Sequence, residues 1–277
     1  MSDVPRAELD PRLDRPMDTD PTFRYVIFSQ QRTGSRWLSS RLANLGCFGV
    51  PAEYLNPVLI PDICERIKYP VKIVDGDYRF NVKSYLRAIG RLRTSPSGRF
   101  GIVLQPNQIF PQFNDDLALV TSFLMDYDAV ILLTRRDKVR QAVSAAISNI
   151  TKRWIADKRE PDLSGVDVEQ LLCDTASILG RYVTEAKRIA TIGRSARRPV
   201  LAMTYEEMVA DPNGTLDQVV RFLGHKDGLA SLSMRNLVRV PEAPSGRVNA
   251  EISALFLDYI AGRVSPDALM LATSHGG

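Results

Sequence analysis

Short apolar runs separated by helical patterns constrain the fold of this chain more than any other feature. Residues 25–29 (YVIFS) and 129–134 (AVILLT) are two such runs, of the kind found in strands that are buried on both faces. Residues 99–105, which follow a Ser-Pro-Ser-Gly turn, and residues 199–205 indicate two further strands. Strands therefore alternate with helices, which predicts an α/β fold with a mainly parallel central sheet flanked by helices.

Apolar residues at helical spacing predict the helices between these strands. The predicted helices cover residues 35–46, 137–155, 168–192 and 212–224. Gly46 and Gly224 stand at the ends of the first and the last of them, where glycine commonly terminates a helix. The chain has no internal repeat, and the loops at 195–199 and 241–246 do not amount to domain linkers, so these elements are expected to form one structural unit.

The first residues differ in composition from the rest of the chain. They contain four prolines and scattered charges but no apolar core of the signal-peptide kind, so we expect a flexible tail at 1–22 and a single domain at 23–277. No stretch approaches the ~18–20 apolar residues of a membrane span. With no export signal, the expected location is the cytoplasm.

Histidine and cysteine are scarce, which excludes several kinds of chemistry. The chain has two histidines and three widely spaced cysteines, so a Ser-His-Asp triad or a metal site has almost nothing to build on. His225 follows a predicted helix end, and we expect a surface role for it. The net charge of +4 is compatible with an anionic cofactor; because no nucleic-acid-binding motif accompanies it, nucleic acid is not an expected partner.

The loop after the first strand has the composition of an anion-binding loop. Gly34 allows close approach of the backbone, Thr33 and Ser35 offer hydroxyl groups, and Arg32 and Arg36 offer positive charge. In a parallel sheet such a loop lies at the carboxyl end of a strand and at a helix N-terminus, where anions bind. An ordinary strand-to-helix turn capped by Ser or Thr is the alternative interpretation.

This loop is a poor fit for ATP or GTP hydrolysis. A Walker A loop reads G-x-x-x-x-G-K-[ST], whereas here Gln30 stands where a glycine is expected and no lysine follows Gly34. A second anion site is predicted after the 129–134 strand, where Arg136 and Ser144 could bind a phosphate together, with Arg135 or Lys138 nearby. The alternative is that Arg136 merely begins a helix and that Ser144 packs within it.

These two segments together resemble PAPS-dependent sulfotransferases, most closely the bacterial trehalose 2-sulfotransferase type. The family's 5′-phosphosulfate pattern, [SP]-x-[RK]-[ST]-G-[ST]-x-[WL], matches residues 30–37 (QQRTGSRW) from its third position on, with Arg32 at the position of the catalytic Lys or Arg and Gln30 in place of the first Ser or Pro. The family's R-x₇-S feature for the 3′-phosphate matches Arg136 and Ser144. Residues 135–154, and the segment 204–224 (TYEEMVADPNGTLDQVVRFLG), are also similar to family segments.

The resemblance implies a P-loop-like three-layer fold and a sulfotransferase. Such an enzyme transfers a sulfuryl group from PAPS, without a metal, to a hydroxyl group of a carbohydrate or glycolipid acceptor. It also implies that Arg32, Thr33, Gly34, Ser35, Arg36, Arg136, Ser144 and, in the C-terminal adenosine-binding loop, Arg247 bind the cofactor. The sequence leaves open whether the chain forms a homodimer.

The chain departs from the family pattern at the expected general base. Bacterial members commonly read G-E-P-x-E-[FY] after the first helix, and the first Glu is their proposed base; here Val50 occupies that position and Glu53 remains. Glu53 is therefore the predicted base, although a salt bridge that holds the loop would equally explain it. Asp75 and Asp77 are the alternative bases.

A second departure is Val103, which stands where the family's G-x-K element has a lysine. Two rival functions stay open: these departures motivate a binding protein without catalysis, and a small-molecule kinase with a P-loop is the second. A protein that binds PAPS but has lost catalysis would fail to sulfate any sugar. A small-molecule kinase would transfer the γ-phosphate of ATP in the presence of Mg²⁺.

Overall fold

The computed structural model describes residues 7–16, 19–74, 77–154, 160–241 and 246–263. Its strands are β1 Phe23–Ser29, β2 Lys72–Val74, β3 Asp77–Arg79, β4 Arg99–Leu104, β5 Ala129–Thr134 and β6 Val200–Thr204. Its helices are α1 Ser35–Leu45, α2 Ile60–Arg66, α3 Val82–Arg93, α4 Pro106–Ile109, α5 Leu117–Leu124, α6 Lys138–Thr151, α7 Val168–Ser195, α8 Tyr205–Ala210, α9 Pro212–Phe222 and α10 Arg247–Ile260. Short 3₁₀ turns lie at Pro11–Leu13, Phe110–Phe113 and Leu229–Ser231.

The four predicted strands form one parallel sheet in the order β4-β1-β5-β6. Ile27 of β1 lies level with Val103 of β4 and with Ile131 of β5. The chain forms β4 beside one edge of β1 and then crosses over to form β5 beside the other edge of β1. Adjacent crossovers of opposite direction leave a crevice at the carboxyl end of the shared strand, so the topology predicts a ligand site after β1.

Helices cover both faces of this sheet, which makes three layers. Alternate side chains of β1 enter opposite cores: Val26 and Phe28 face α2, α3, α5 and the end of α7, whereas Tyr25 and Ile27 face α1, α8 and α9. Burial on both faces explains why these strands are continuous apolar runs. The α/β prediction and the three-layer prediction are confirmed. In the described part of the chain, no helix is both long and apolar enough to cross a membrane.

Several elements were not predicted from the sequence. They are the antiparallel hairpin of β2 and β3 and the helices α2, α3, α4, α5, α8 and α10. The predicted helix at 137–155 is shorter at both ends, since α6 begins at Lys138, is capped by the Asp137 side chain, and ends at Thr151.

Part of the N-terminal segment differs from the expectation of a flexible tail at 1–22. Residues 7–16 lie against the domain and are held by Arg93, whose side chain is fully buried. The Arg93 guanidinium donates a hydrogen bond to the Ala7 carbonyl at 2.8 Å and lies 2.9 Å from a carboxylate oxygen of Asp14. A buried guanidinium needs such partners, and this segment supplies them.

Candidate functional site

A cavity of about 650 Å³ opens at the carboxyl end of the parallel sheet. Each strand of the sheet is followed closely by a residue that lines it: Arg32 after β1, Gln105 after β4, Arg135 after β5 and Tyr205 after β6. The volume is typical of a pocket for a small molecule or a cofactor. The cavity therefore occupies the crevice that the strand order predicts.

Buried amide groups fix the loop after β1. The Gln30 side chain is fully buried; its Nε2 donates to the Tyr182 carbonyl at 2.7 Å, and its Oε1 accepts from the Lys138 ammonium at 2.6 Å. Gln141 of α6 donates to the Gln31 carbonyl at 2.7 Å. Gln30, which stands where a Walker loop has a glycine, thus connects the loop to α6 and α7. The conformation of the loop is therefore held by buried hydrogen bonds.

Left-handed backbone at two positions shapes the same loop. Arg32 has φ 61° and Gly34 has φ 82°, a region that glycine enters without the steric cost of a Cβ. The Thr33 hydroxyl donates to the Gln30 carbonyl at 2.8 Å and the residue is fully buried, so its side chain stabilises the loop from inside. Ser35 at the start of α1 lines the cavity, as does the half-buried Arg36.

Arg32 joins the two segments that the sequence analysis treats as separate anion sites. Its Nε donates to the Ser144 hydroxyl at 2.9 Å, and its Nη1 donates to the Trp154 carbonyl at 2.9 Å. Burial lowers the pKa of the Arg32 guanidinium, and the positive charges of Arg135 and Arg36 lower it further. Three guanidinium groups therefore share one region, an arrangement that a bound anion would stabilise.

The two arginines after β5 point in different directions. Arg135 lines the cavity; its guanidinium lies 4.4 Å from the centre of the Tyr205 ring and donates to the Arg32 carbonyl at 3.3 Å. Arg136 is 65% exposed and lies 3.8 Å from a carboxylate oxygen of Glu206. The predicted pair of Arg136 and Ser144 is not brought together at the cavity wall; Arg135 lines the wall instead.

Glu53 lines the same cavity and is nearly buried. Its Oε2 accepts a hydrogen bond from Gln108 of α4 at 3.1 Å, and its Oε1 lies 3.8 Å from the Arg36 guanidinium. Burial raises the pKa of the Glu53 carboxyl, and this effect exceeds the opposing effect of Arg36. A carboxylate with a raised pKa in a cavity has the properties of a general base.

Val50, which stands at the position of the family's proposed base, is buried away from the cavity. Its side chain is buried in a small apolar cluster with Leu13 and Ala43, and it is not among the residues that line the cavity in the described part of the chain. Val103 is likewise buried in β4, where its N–H donates to the Ala52 carbonyl at 2.8 Å. That bond fixes the loop carrying Glu53 beside the sheet.

The remaining predicted site residues lie elsewhere. Arg247 begins α10, 72% exposed and 3.5 Å from Glu251, and among the described residues it is not part of the cavity wall. Asp75 lies outside the described residues, and of Asp77 the structure gives only its place in β3. His225 is partly exposed, lies three residues after the end of α9, and is 2.8 Å from the Ser231 hydroxyl.

Several residues of the cavity wall were not predicted from the sequence. Among them are Tyr205, Gln105, Gln108 and Asn56, whereas Arg135 was expected only near the second anion site. Position could have found two of them, because Gln105 and Tyr205 each come directly after a strand of the sheet. Within the described ranges, no cluster of three or more His, Cys, Asp or Glu residues could hold a metal ion.

Comparison with known proteins gives one family match. The model of the family described as Stf0 sulphotransferase matches residues 24–245. No curated protein matches the chain.

Solved structures are similar at low identity. A sulfotransferase from Alicyclobacillus acidocaldarius is 14% identical, with 88% of this chain and 97% of that chain covered and a TM-score of 0.43. Sulfotransferase STF9 from Mycobacterium avium is 14% identical over 90% of this chain and 70% of that chain, with a TM-score of 0.40. A retinol dehydratase in complex with retinol and PAP is 16% identical over 89% and 67%, with a TM-score of 0.36.

Proposed function

Because the chain belongs to the Stf0 sulphotransferase family, we propose that this sulfotransferase uses PAPS as its donor and sulfates a hydroxyl group of a carbohydrate or glycolipid. One observation carries the proposal: the cavity at the sheet edge is lined both by the Arg32–Ser144 pair and by the buried carboxylate of Glu53. Positive charge for an anionic donor and a base for a hydroxyl acceptor are the two requirements of this reaction.

The residues of the cavity fit an anionic donor. Arg32, Arg36 and Arg135 all line it, and burial lowers the pKa of Arg32 and of Arg135. The buried Nε of Arg135 has no hydrogen-bond partner among the described residues. An unpaired buried N–H is costly, so phosphate oxygens at this place would satisfy it.

The roles of the chain's own groups follow from their positions. When bound, PAPS supplies the sulfuryl group. The first N–H groups of α1 lack partners within the helix and attract an anion. Arg32 lies beside them and is suited to stabilise negative charge that grows during the transfer. We infer that Arg135 and Ser144 bind a second phosphate, whereas Arg136 remains paired with Glu206.

Glu53 is the proposed general base. Its ionised carboxylate would accept the proton of the acceptor hydroxyl, and the raised pKa makes it a stronger base than an exposed glutamate. Since only the ionised form can accept a proton, the rate should rise with pH through the raised pKa of Glu53. We expect Glu53→Gln to lower kcat by ~10²–10⁴ and to leave donor binding intact.

Sulfate transfer from labelled PAPS to a panel of sugars, including trehalose, measures this effect. Glu65→Gln, an exposed change on α2, is the matched control and should keep the wild-type rate. Full activity of Glu53→Gln would remove Glu53 from the reaction.

Donor binding is tested separately by calorimetry. The wild-type protein should bind adenosine 3′,5′-bisphosphate (PAP) more tightly than ADP, because a second group of cationic and hydroxyl side chains is available for the 3′-phosphate. Equal affinity for the two nucleotides would contradict PAPS as the donor.

A further inference from the structure

The N-terminal segment reaches the loop that carries Glu53. The Glu8 carboxylate accepts a hydrogen bond from the backbone N–H of Glu53 at 3.3 Å. Glu8 is only 5% exposed, so this carboxylate lies inside the protein. The contact joins residues 45 positions apart in the chain.

Two buried or half-buried arginines hold Glu8 in place. Its backbone carbonyl accepts from Arg93 at 3.2 Å and from Arg66 at 3.4 Å. Arg93 is fully buried, and Arg66 also pairs with Asp14 of the same segment. The position of Glu8 is therefore set by α2 and α3, independently of Glu53.

Within the described ranges, the charged groups that face Glu53 come from two elements. Arg36 of α1 contributes a positive charge at 3.8 Å, and Glu8 contributes a negative charge from the N-terminal segment. The other neighbours, Gln108 of α4 and Asn56 of the same loop, are neutral amides that donate to Glu53. Burial is the largest cause of the raised pKa of Glu53. The positive charge of Arg36 opposes this effect, and the negative charge of Glu8 adds to it.

The carboxylate of Glu8 does more than accept the hydrogen bond, because it also carries a negative charge. A neutral amide side chain would accept the same N–H bond without placing a second negative charge near a buried glutamate. Two neighbouring buried carboxylates repel each other and raise the pKa of at least one of them. Such an arrangement costs stability but produces a stronger base.

From this geometry we propose that Glu8 is a positioning residue for Glu53: it holds the loop that carries Glu53 and keeps a second negative charge beside it. The N-terminal segment is thereby a part of the active site. The inference rests on the proposed role of Glu53 as the base.

The test follows the Glu53 carboxyl directly by NMR titration of protein labelled with ¹³C in its glutamate side chains. The Glu53 signal is identified by its loss in Glu53→Gln. Glu8→Gln should lower the Glu53 midpoint, because a neighbouring negative charge is removed while a hydrogen-bond acceptor remains. Glu65→Gln should leave the midpoint unchanged.

Amide hydrogen exchange tests the second part of the proposal. Glu8→Ala removes the acceptor as well as the charge, so the Glu53 amide should exchange about three- to tenfold faster than in the wild type. Glu8→Gln should keep its protection. An unchanged Glu53 midpoint in Glu8→Gln, or unchanged exchange in Glu8→Ala, would overturn the inference.

Neither measurement needs catalysis, so failure of the proposed function is recognised separately. A protein that shows both effects but sulfates no acceptor at any pH would contradict the proposed function and leave the contact between Glu8 and Glu53 established.

Discussion

The loops after β1 and β5 lie on neighbouring strands at the same edge of the sheet, but they are held by different means. Buried amides and Lys138 fix the first loop from inside the protein. The second loop is held by one carboxylate: Glu206 accepts the backbone N–H groups of Arg136 at 3.0 Å and of Asp137 at 3.1 Å. In the first loop, the N–H groups at the start of α1 are therefore available to a ligand. In the second loop, the N–H groups of Arg136 and Asp137 already donate to Glu206.

This difference predicts different functional effects. A preorganised loop with both backbone and side-chain donors can stabilise charge that changes during a reaction. A loop whose backbone donors are used can bind only through its side chains, here through Arg135. We therefore expect changes in the first loop to alter the rate and changes in the second to alter donor affinity.

Of the changes in these two loops, the largest effect should come from Arg32 in the first loop. Arg32→Ala should lower kcat by ~10²–10³, because its interaction is strongest where negative charge grows in the transition state. Arg32→Lys should keep part of the rate, and Arg91→Ala, an exposed arginine paired with Asp20, should keep all of it. Steady-state transfer of labelled sulfate measures these rates. An unaltered kcat in Arg32→Ala would end the distinction between the loops.

An intermediate effect is expected at the second loop, where adjacent arginines serve as controls for each other. Arg135→Ala should weaken the binding of PAP by about 10- to 150-fold, the equivalent of a charge-assisted contact. Arg136→Ala should change it by less than about fivefold, since an exposed ion pair contributes little. Calorimetry distinguishes them. The reverse order would return the 3′-phosphate to Arg136, as the R-x₇-S spacing predicts.

The smallest effect concerns Lys138, which connects the two loops. Burial lowers its pKa from 10.5 to about 8. Between these values the unfolded chain binds more protons than the folded one, so the stability contribution of Lys138 improves as the pH rises through about 8. Lys138→Met should lack this pH dependence. Thermal unfolding of both proteins at about pH 7 and about pH 9 measures it, and parallel pH curves would show that Lys138 is not desolvated.

The strands of the central sheet could be predicted because each is marked by a short continuous segment of the sequence. Residues 25–29 and 129–134 are continuous apolar runs, and such runs have few stable arrangements other than strands buried on both faces. The helices α3 and α5 were missed although each is preceded by a residue type that commonly caps a helix, Asn81 and Asp116. The N-terminal segment could not be predicted, because its partner Arg93 lies more than 80 positions away in the chain.

The sequence predicted which residues belong to the site better than it predicted the directions of their side chains. The sequence indicated Arg32, Ser144 and Glu53, and all three line the cavity. It favoured Arg136 over Arg135, because motif spacing counts residues and does not report side-chain direction. At the end of a strand, successive side chains point to opposite sides, so a step of one residue decides between the cavity and solvent. These site assignments stay predictions until the variants are measured.

The hydrogen bond between Val103 and Ala52 has a consequence for solubility. β4 is an edge strand of the sheet, and an uncovered edge is a template for pairing with another chain. The loop carrying Glu53 occupies part of that edge through the 2.8 Å bond to Ala52, and the adjacent Gly49 approaches the strand so closely that an added Cβ would lie 2.7 Å from the Arg99 carbonyl. Substitutions that detach this loop would therefore expose strand backbone to neighbouring molecules, and aggregation would accompany the loss of the base.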